Sequence, residues 1–76
     1  MQYLGDIIKY HRKKAGLSQK SLADIADVGK TVVFDIEKGK ETVQFKSIVN
    51  VLKALNISIS LESPLMDKYN KENESS

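Results

Sequence analysis

Residues that stop helices interrupt this chain at short intervals. Gly16, Gly29 and Gly39 recur along the first half, and Asn56, which like glycine tolerates the left-handed conformation, follows in the second. Between these points no helix can run much beyond a dozen residues, so the chain is restricted to a cluster of short helices joined by tight turns. The side chains in between have the matching period. Over residues 3–14, Leu4, Ile8, His11 and Ala15 recur on one side with Ile7 beside them, while Lys9, Arg12, Lys13 and Lys14 fall elsewhere. The cations of the last turn suit the negative end of the helix dipole. His11 reads as a core-edge histidine and Lys13–Lys14 as a solvated helix end.

Ser18 is a good N-cap for a second helix, Gln19 to about Asp27, with Leu22, Ala23, Ile25 and Ala26 at its apolar positions. Val28 and Gly29 make a short turn. A third helix spans residues 30–38, has Val33 and Ile36 on its core side, and is closed by Gly39. After a linker at 40–42, a fourth helix over roughly 43–55 carries Phe45, Ile48, Val49, Val51, Leu52 and Leu55, more apolar circumference than one core face needs. Residues 57–61 (Ile-Ser-Ile-Ser-Leu) then alternate apolar and polar, a strand signal with no second strand in the chain to pair with. An antiparallel ribbon with the same strand of a second copy is the simplest completion. Val51, Leu55, Ile57, Ile59 and Leu61 are the expected dimer interface. Beyond Pro64 the composition turns charged and Asn-rich, so residues 1–62 are expected to form one domain and 63–76 a flexible, disordered tail.

Size and composition narrow the function. At 76 residues the chain is a single small domain that buries only ~60% of its unfolded surface, which makes self-association a plausible source of further core. With no cysteine and one histidine it has no disulfide framework, no thiolate metal site and little imidazole chemistry, so no enzyme, cofactor or metal centre is expected. No apolar run approaches the ~20 residues of a membrane span, and no secretory leader is legible, so a cytoplasmic protein is expected. Charge is uneven: eight basic and five acidic side chains fall in residues 1–40, against four and five in residues 41–76. That bias suits nucleic acid without establishing it.

The stretch Leu17-Ser18-Gln19-Lys20-Ser21-Leu22-Ala23, followed by Val28-Gly29-Lys30-Thr31-Val32-Val33-Phe34-Asp35-Ile36-Glu37-Lys38-Gly39-Lys40, has the layout of a DNA-binding helix–turn–helix. Ser18 and Gln19 at the exposed amides of a helix start are placed to clamp a phosphate. The third helix would enter the major groove, N-terminal residues foremost. Lys30, Thr31, Phe34 and Asp35 lie away from its core side, and with Val32 they are the candidates for base contact: Lys30 to guanine, Thr31 by its hydroxyl or methyl, Phe34 or Val32 to a thymine methyl. Lys38, Lys40 and Gln44 are the phosphate candidates at the other edge.

These residues resemble the Cro/cI (xenobiotic-response-element) helix–turn–helix family. The likeness continues without a gap from Thr42 through Val43-Gln44-Phe45-Lys46-Ser47-Ile48-Val49-Asn50-Val51-Leu52 to Leu61, and this longer pattern resembles the HipB-like antitoxin and autorepressor branch. The resemblance implies a mainly α, four- to five-helix lambda-repressor-like domain with one C-terminal strand pairing across a homodimer. It also implies an ion pair between Arg12 and Glu37 joining the first and third helices, and a phosphate-clamping role for Gln19. Asp27 stands where the family often has glycine, and His11 at a usually aliphatic position. Asp35 would repel phosphate unless it accepts from a cytosine or pairs with a nearby lysine.

The function implied is a sequence-specific repressor of double-stranded operator DNA that is also the antitoxin of a HipA-type Ser/Thr kinase and regulates its own operon. Two alternatives stay open on the residues: a phage-type or controller repressor without a toxin, and an interaction module that has lost DNA binding.

Overall fold

The structure is a computed structural model that describes residues 2–74. Five helices follow one another: α1 (Gln2–Lys14), α2 (Gln19–Ala26), α3 (Lys30–Glu37), α4 (Phe45–Ala54) and α5 (Met66–Glu74). The first four pack together, α2 against both α3 and α4, and α1 against α3. Ile8, Leu22, Ala23, Ala26, Val33, Ile36, Ile48, Val51 and Leu52 form the enclosed core, with Leu4, Leu17, Val28, Val32, Val43, Ala54, Leu55 and Ile57 packed around it.

One device ends all four packed helices. Gly16, Asp27, Gly39 and Asn56 each adopt positive φ just past a helix end. The amide that follows each one then reaches back to a carbonyl five residues earlier: Leu17 to Arg12, Val28 to Ala23, Lys40 to Asp35, and Ile57 to Leu52, at 2.9–3.1 Å. These Schellman closures satisfy the last carbonyls and turn the chain sharply back onto the core. Sequence pattern anticipated three of them. In the second turn the left-handed residue is Asp27 (φ 58°), not Gly29, whose φ of −71° and ψ of 150° make it the N-cap of α3. Helix α2 therefore ends one residue earlier than the apolar pattern suggests. Aspartate occupies this region more readily than most side chains, at a cost glycine would not incur.

Where α1 crosses α3 the backbones nearly touch. A Cβ on Gly5 would overlap the Ile36 carbonyl oxygen and approach that of Glu37. Only glycine permits this crossing, and Gln2 Nε2 reinforces it by donating to the Glu37 carbonyl at 3.3 Å. The buried side of α1 is consequently Gly5, Ile8 and Arg12. His11 lies outside, against expectation, with Nδ1 donating to the Ile7 carbonyl at 2.7 Å and its ring edge-on to Tyr10. Ile25 and Phe45 are exposed as well. The fourth helix starts at Phe45, two residues later than expected, because Gln44 takes the N-cap conformation. Val43 before it and Ile48 after it hold the positions of a hydrophobic staple and both pack at the core.

Among residues 58–73 none is buried, and only Met66 is half-buried. The strand expected at 57–61 is not formed: a strand exists only through hydrogen bonds to a neighbouring one, and among the described residues no segment offers that ladder. Val51, expected at an interface between copies, is fully enclosed in the chain's own core because that side of α4 faces inward. Residues 66–74, expected to be irregular, are helical, yet none of residues 66–73 is buried. No described helix is long and apolar enough to cross a membrane.

Candidate nucleic-acid interface

A buried ion pair fixes the relation of three helices. Arg12 on α1 meets Glu37 at the end of α3 in a two-pronged contact, Nε to Oε2 at 2.7 Å and Nη2 to Oε1 at 3.0 Å, while Nη1 donates to the Leu17 carbonyl at 2.9 Å. Gln19, the first residue of α2, donates its Nε2 to the same Glu37 Oε1 at 3.2 Å. Both charged side chains are almost wholly covered. The hydrogen bond to Glu37 raises the Arg12 pKa beyond its already high ordinary value, burial opposes this, and the charge of Glu37 adds to it. Such a pair need not add net stability, but it determines where α3 sits relative to the start of α2, since removing either partner strands a charge.

With α3 so placed, its outer side opens to solvent next to the N-terminus of α2. Ser18 caps that helix by accepting from the Ser21 amide at 3.0 Å. The amides of Gln19 and Lys20 have no acceptor among the described residues. Lys30, Thr31 and Phe34 from α3 line, with Gln19, an open concavity of about 450 Å³. Phe34 is 45% exposed, and Lys38 Nζ lies 5.4 Å from its ring centre, a cation–π placement that holds the ammonium at the surface. Asp35 is half-buried and pairs with Lys40 Nζ at 3.7 Å. Its charge is thus partly compensated within the chain, the condition that lets a carboxylate sit beside phosphate.

A helix-turn-helix family model matches residues 8–61, which takes in the whole of this arrangement. The chain belongs to the helix-turn-helix (HTH_3) family. It is also similar to an uncharacterized HTH-type transcriptional regulator, y4mF, of Sinorhizobium fredii (strain NBRC 101917 / NGR234), at 36% identity over 61 residues that cover 80% of each chain.

Within this helix-turn-helix unit the other site residues are distributed unevenly. Val32 is half-buried against the core and is not freely presented with Lys30 and Thr31. Gln44 is exposed at the start of α4, where its carbonyl accepts from the Ser47 and Ile48 amides and its side chain makes no capping bond. Of the residues assigned to a dimer contact, Leu55 and Ile57 are half-buried against the chain's own core, whereas Ile59 and Leu61 are exposed. Val49, Leu52, Lys53, Ile57, Ser58 and Ile59 border an apolar concavity of about 350 Å³ beside α4. Two contributors had escaped sequence reasoning: Gly5, and the bond from Gln19 to Glu37. A close backbone approach leaves no periodic signal, and a glutamine at a helix start reads as a phosphate ligand before it reads as a neighbour of the ion pair.

Proposed function

We propose that this chain is a sequence-specific DNA-binding transcriptional repressor that places α3 in the major groove. The observation that carries the reading is the open concavity formed by Lys30, Thr31 and Phe34 of α3 with Gln19 at the N-terminus of α2. Lys30 and Thr31 are the base-reading residues, Phe34 offers an apolar surface to a thymine methyl, and Val32 and Asp35 contribute at the edges. Ser18, Gln19, Lys38, Lys40 and Gln44 hold phosphates. Ser18 does so through the helix start it caps rather than through its hydroxyl, which is engaged.

The repressor acts as a homodimer on an operator whose half-sites lie about one helical turn (~34 Å) apart. Unfilled apolar surface beside α4 and the exposed Ile59 and Leu61 support pairing of residues 57–61 between copies. The further role, antitoxin of a HipA-type kinase in the cytoplasm, rests on the resemblance of residues 42–61 to that branch. Exposed Tyr3, Tyr10 and Ile25 leave apolar surface outside the DNA face for such a protein partner.

Fluorescence anisotropy on the DNA upstream of its own gene, against a scrambled duplex, tests the reading. Preference for the upstream duplex at moderate salt is expected, and equal binding to both would overturn it. Replacing Lys30 with alanine should relax base preference, whereas Lys40→Ala should weaken both duplexes alike. A kinase-like reading frame adjacent to the gene, whose product co-purifies with this chain, would support the antitoxin role; a wild-type chain that fails to relieve that kinase's toxicity on co-expression would remove it.

A further inference from the structure

We infer that α1 carries a second phosphate-binding site, in which Lys9 and Lys13 act with Lys38 to hold the DNA backbone alongside the groove that α3 reads. The inference rests on the DNA-binding reading and extends it to a helix outside the helix–turn–helix proper. Lys9 and Lys13 stand four residues apart, so they share one side of α1, clear of the buried side made by Gly5, Ile8 and Arg12. Together with Lys38, Gln19 and Phe34 they border a concavity of about 290 Å³ whose floor includes Arg12 and Glu37. Gln19 and Phe34 also border the concavity that holds Lys30 and Thr31. The two hollows are therefore one continuous surface, divided by the Phe34 ring.

Charge decides what the first hollow accepts. Its only carboxylate, Glu37, is already engaged by Arg12 and Gln19. Among the described residues the ion pairs are Arg12–Glu37, Lys20–Asp24 and Lys40–Asp35, so Lys9, Lys13 and Lys38 face it uncompensated. Gln19 Nε2 carries a second proton beyond the one given to Glu37, and the amides of Gln19 and Lys20 point from the same helix start. Three ammonium groups around amide donors suit a phosphodiester. The wall shared with the base-reading hollow favours a phosphate of a bound duplex over a free ion.

The salt dependence of binding reads this out. Each phosphate neutralised adds about 0.9 to the slope of log K against log salt, so losing the one phosphate held by α1 at each of the two half-sites should make the slope shallower by about 1.8. Between about 50 and 200 mM salt, wild type should then lose roughly 12-fold more affinity than Lys9→Gln/Lys13→Gln. The variant should weaken on upstream and scrambled duplexes by the same factor and keep their ratio. Lys14→Gln is the control, since Lys14 lies over the Tyr10 ring outside the hollow; its slope should match wild type. Circular dichroism should show these surface variants folded like wild type.

A double variant with the wild-type slope overturns the α1 site while leaving the repressor reading intact. A wild type without preference between duplexes overturns the repressor reading, and the slopes still decide the phosphate site. Binding to neither duplex overturns both. If millimolar inorganic phosphate binds wild type but not the double variant, while both bind the duplex with the same salt slope, the site serves a free anion and the duplex assignment fails.

Discussion

Leu22 and Leu65 are the same side chain in two regions of one small protein, and the first is fully enclosed while the second is 70% exposed. Residues 2–57 contain four helices, each ended by a left-handed residue that folds the next segment back against the last. Residues 58–74 contain an apolar-bearing segment and a helix, with no such closure, and none of residues 58–73 is buried. Helical spacing of apolar residues thus accounts for the helices of the first region, whereas α5 forms where composition led to the expectation of an irregular tail. What separates them is whether a turn returns the helix to a surface that can cover it. A nine-residue helix standing alone in water is marginal, because nucleation costs more than so few hydrogen bonds return.

The contrast can be broken or sharpened by measurement. The largest effect is expected at the charge pair that locks α3. Glu37→Ala should lower the unfolding free energy by about 3–5 kcal/mol in a urea titration, since it leaves the Arg12 guanidinium buried and unpaired. A loss below about 1 kcal/mol would show that the guanidinium escapes to water and that the pair does not position the helix. Next comes the leucine comparison itself: Leu22→Ala should cost about 2–5 kcal/mol. Leu65→Ala should stay within about 0.5 kcal/mol, and comparable losses at both sites would mean that the C-terminal segment is covered in solution.

Smaller still is the turn between α2 and α3. Asp27→Gly should stabilise by about 1 kcal/mol through relief of left-handed strain, and Asp27→Ala should destabilise; a reversed order would mean that the aspartate side chain contributes a contact of its own. The smallest change should follow truncation after Ser63, with the urea midpoint of the dilute chain unmoved. A midpoint that falls on truncation, and depends on protein concentration before it, would place residues 64–74 in contact between copies.

Much of the arrangement was legible from particular residues. Gly16, Gly39 and Asn56 announced three of the four helix ends, and Ser18 announced the start of α2, because each is a local demand of backbone geometry that few residue types meet. Asp27 was less plain, since the apolar pattern carried the helix on to it and only the resemblance set it at a position where glycine is common. The Gly5 crossing was hidden because it concerns the distance between segments far apart in the chain. On the candidate interface, Lys30, Thr31 and Phe34 were placed together from helical spacing alone. The compensation of Asp35 by Lys40 had been a condition, and it needed the Gly39 turn to bring the two within 3.7 Å. The alternation at 57–61 misled in the opposite direction: it records which faces two neighbours would cover, and one copy contains no such neighbour.

The residues by themselves determined that the first 57 residues form a set of short helices, where three of the four end, and which residues stand at the front of α3, since those properties arise within a turn or two of backbone. Tertiary structure alone decided that Arg12 is buried, that Gln19 is tied to Glu37, that Val51 is interior, and that Lys9 and Lys13 share a hollow with Lys38. The burial of Arg12 and the hollow shared by Lys9, Lys13 and Lys38 depend on how closely α1 approaches α3, and the absent Cβ at Gly5 that permits this approach is one no periodicity reveals.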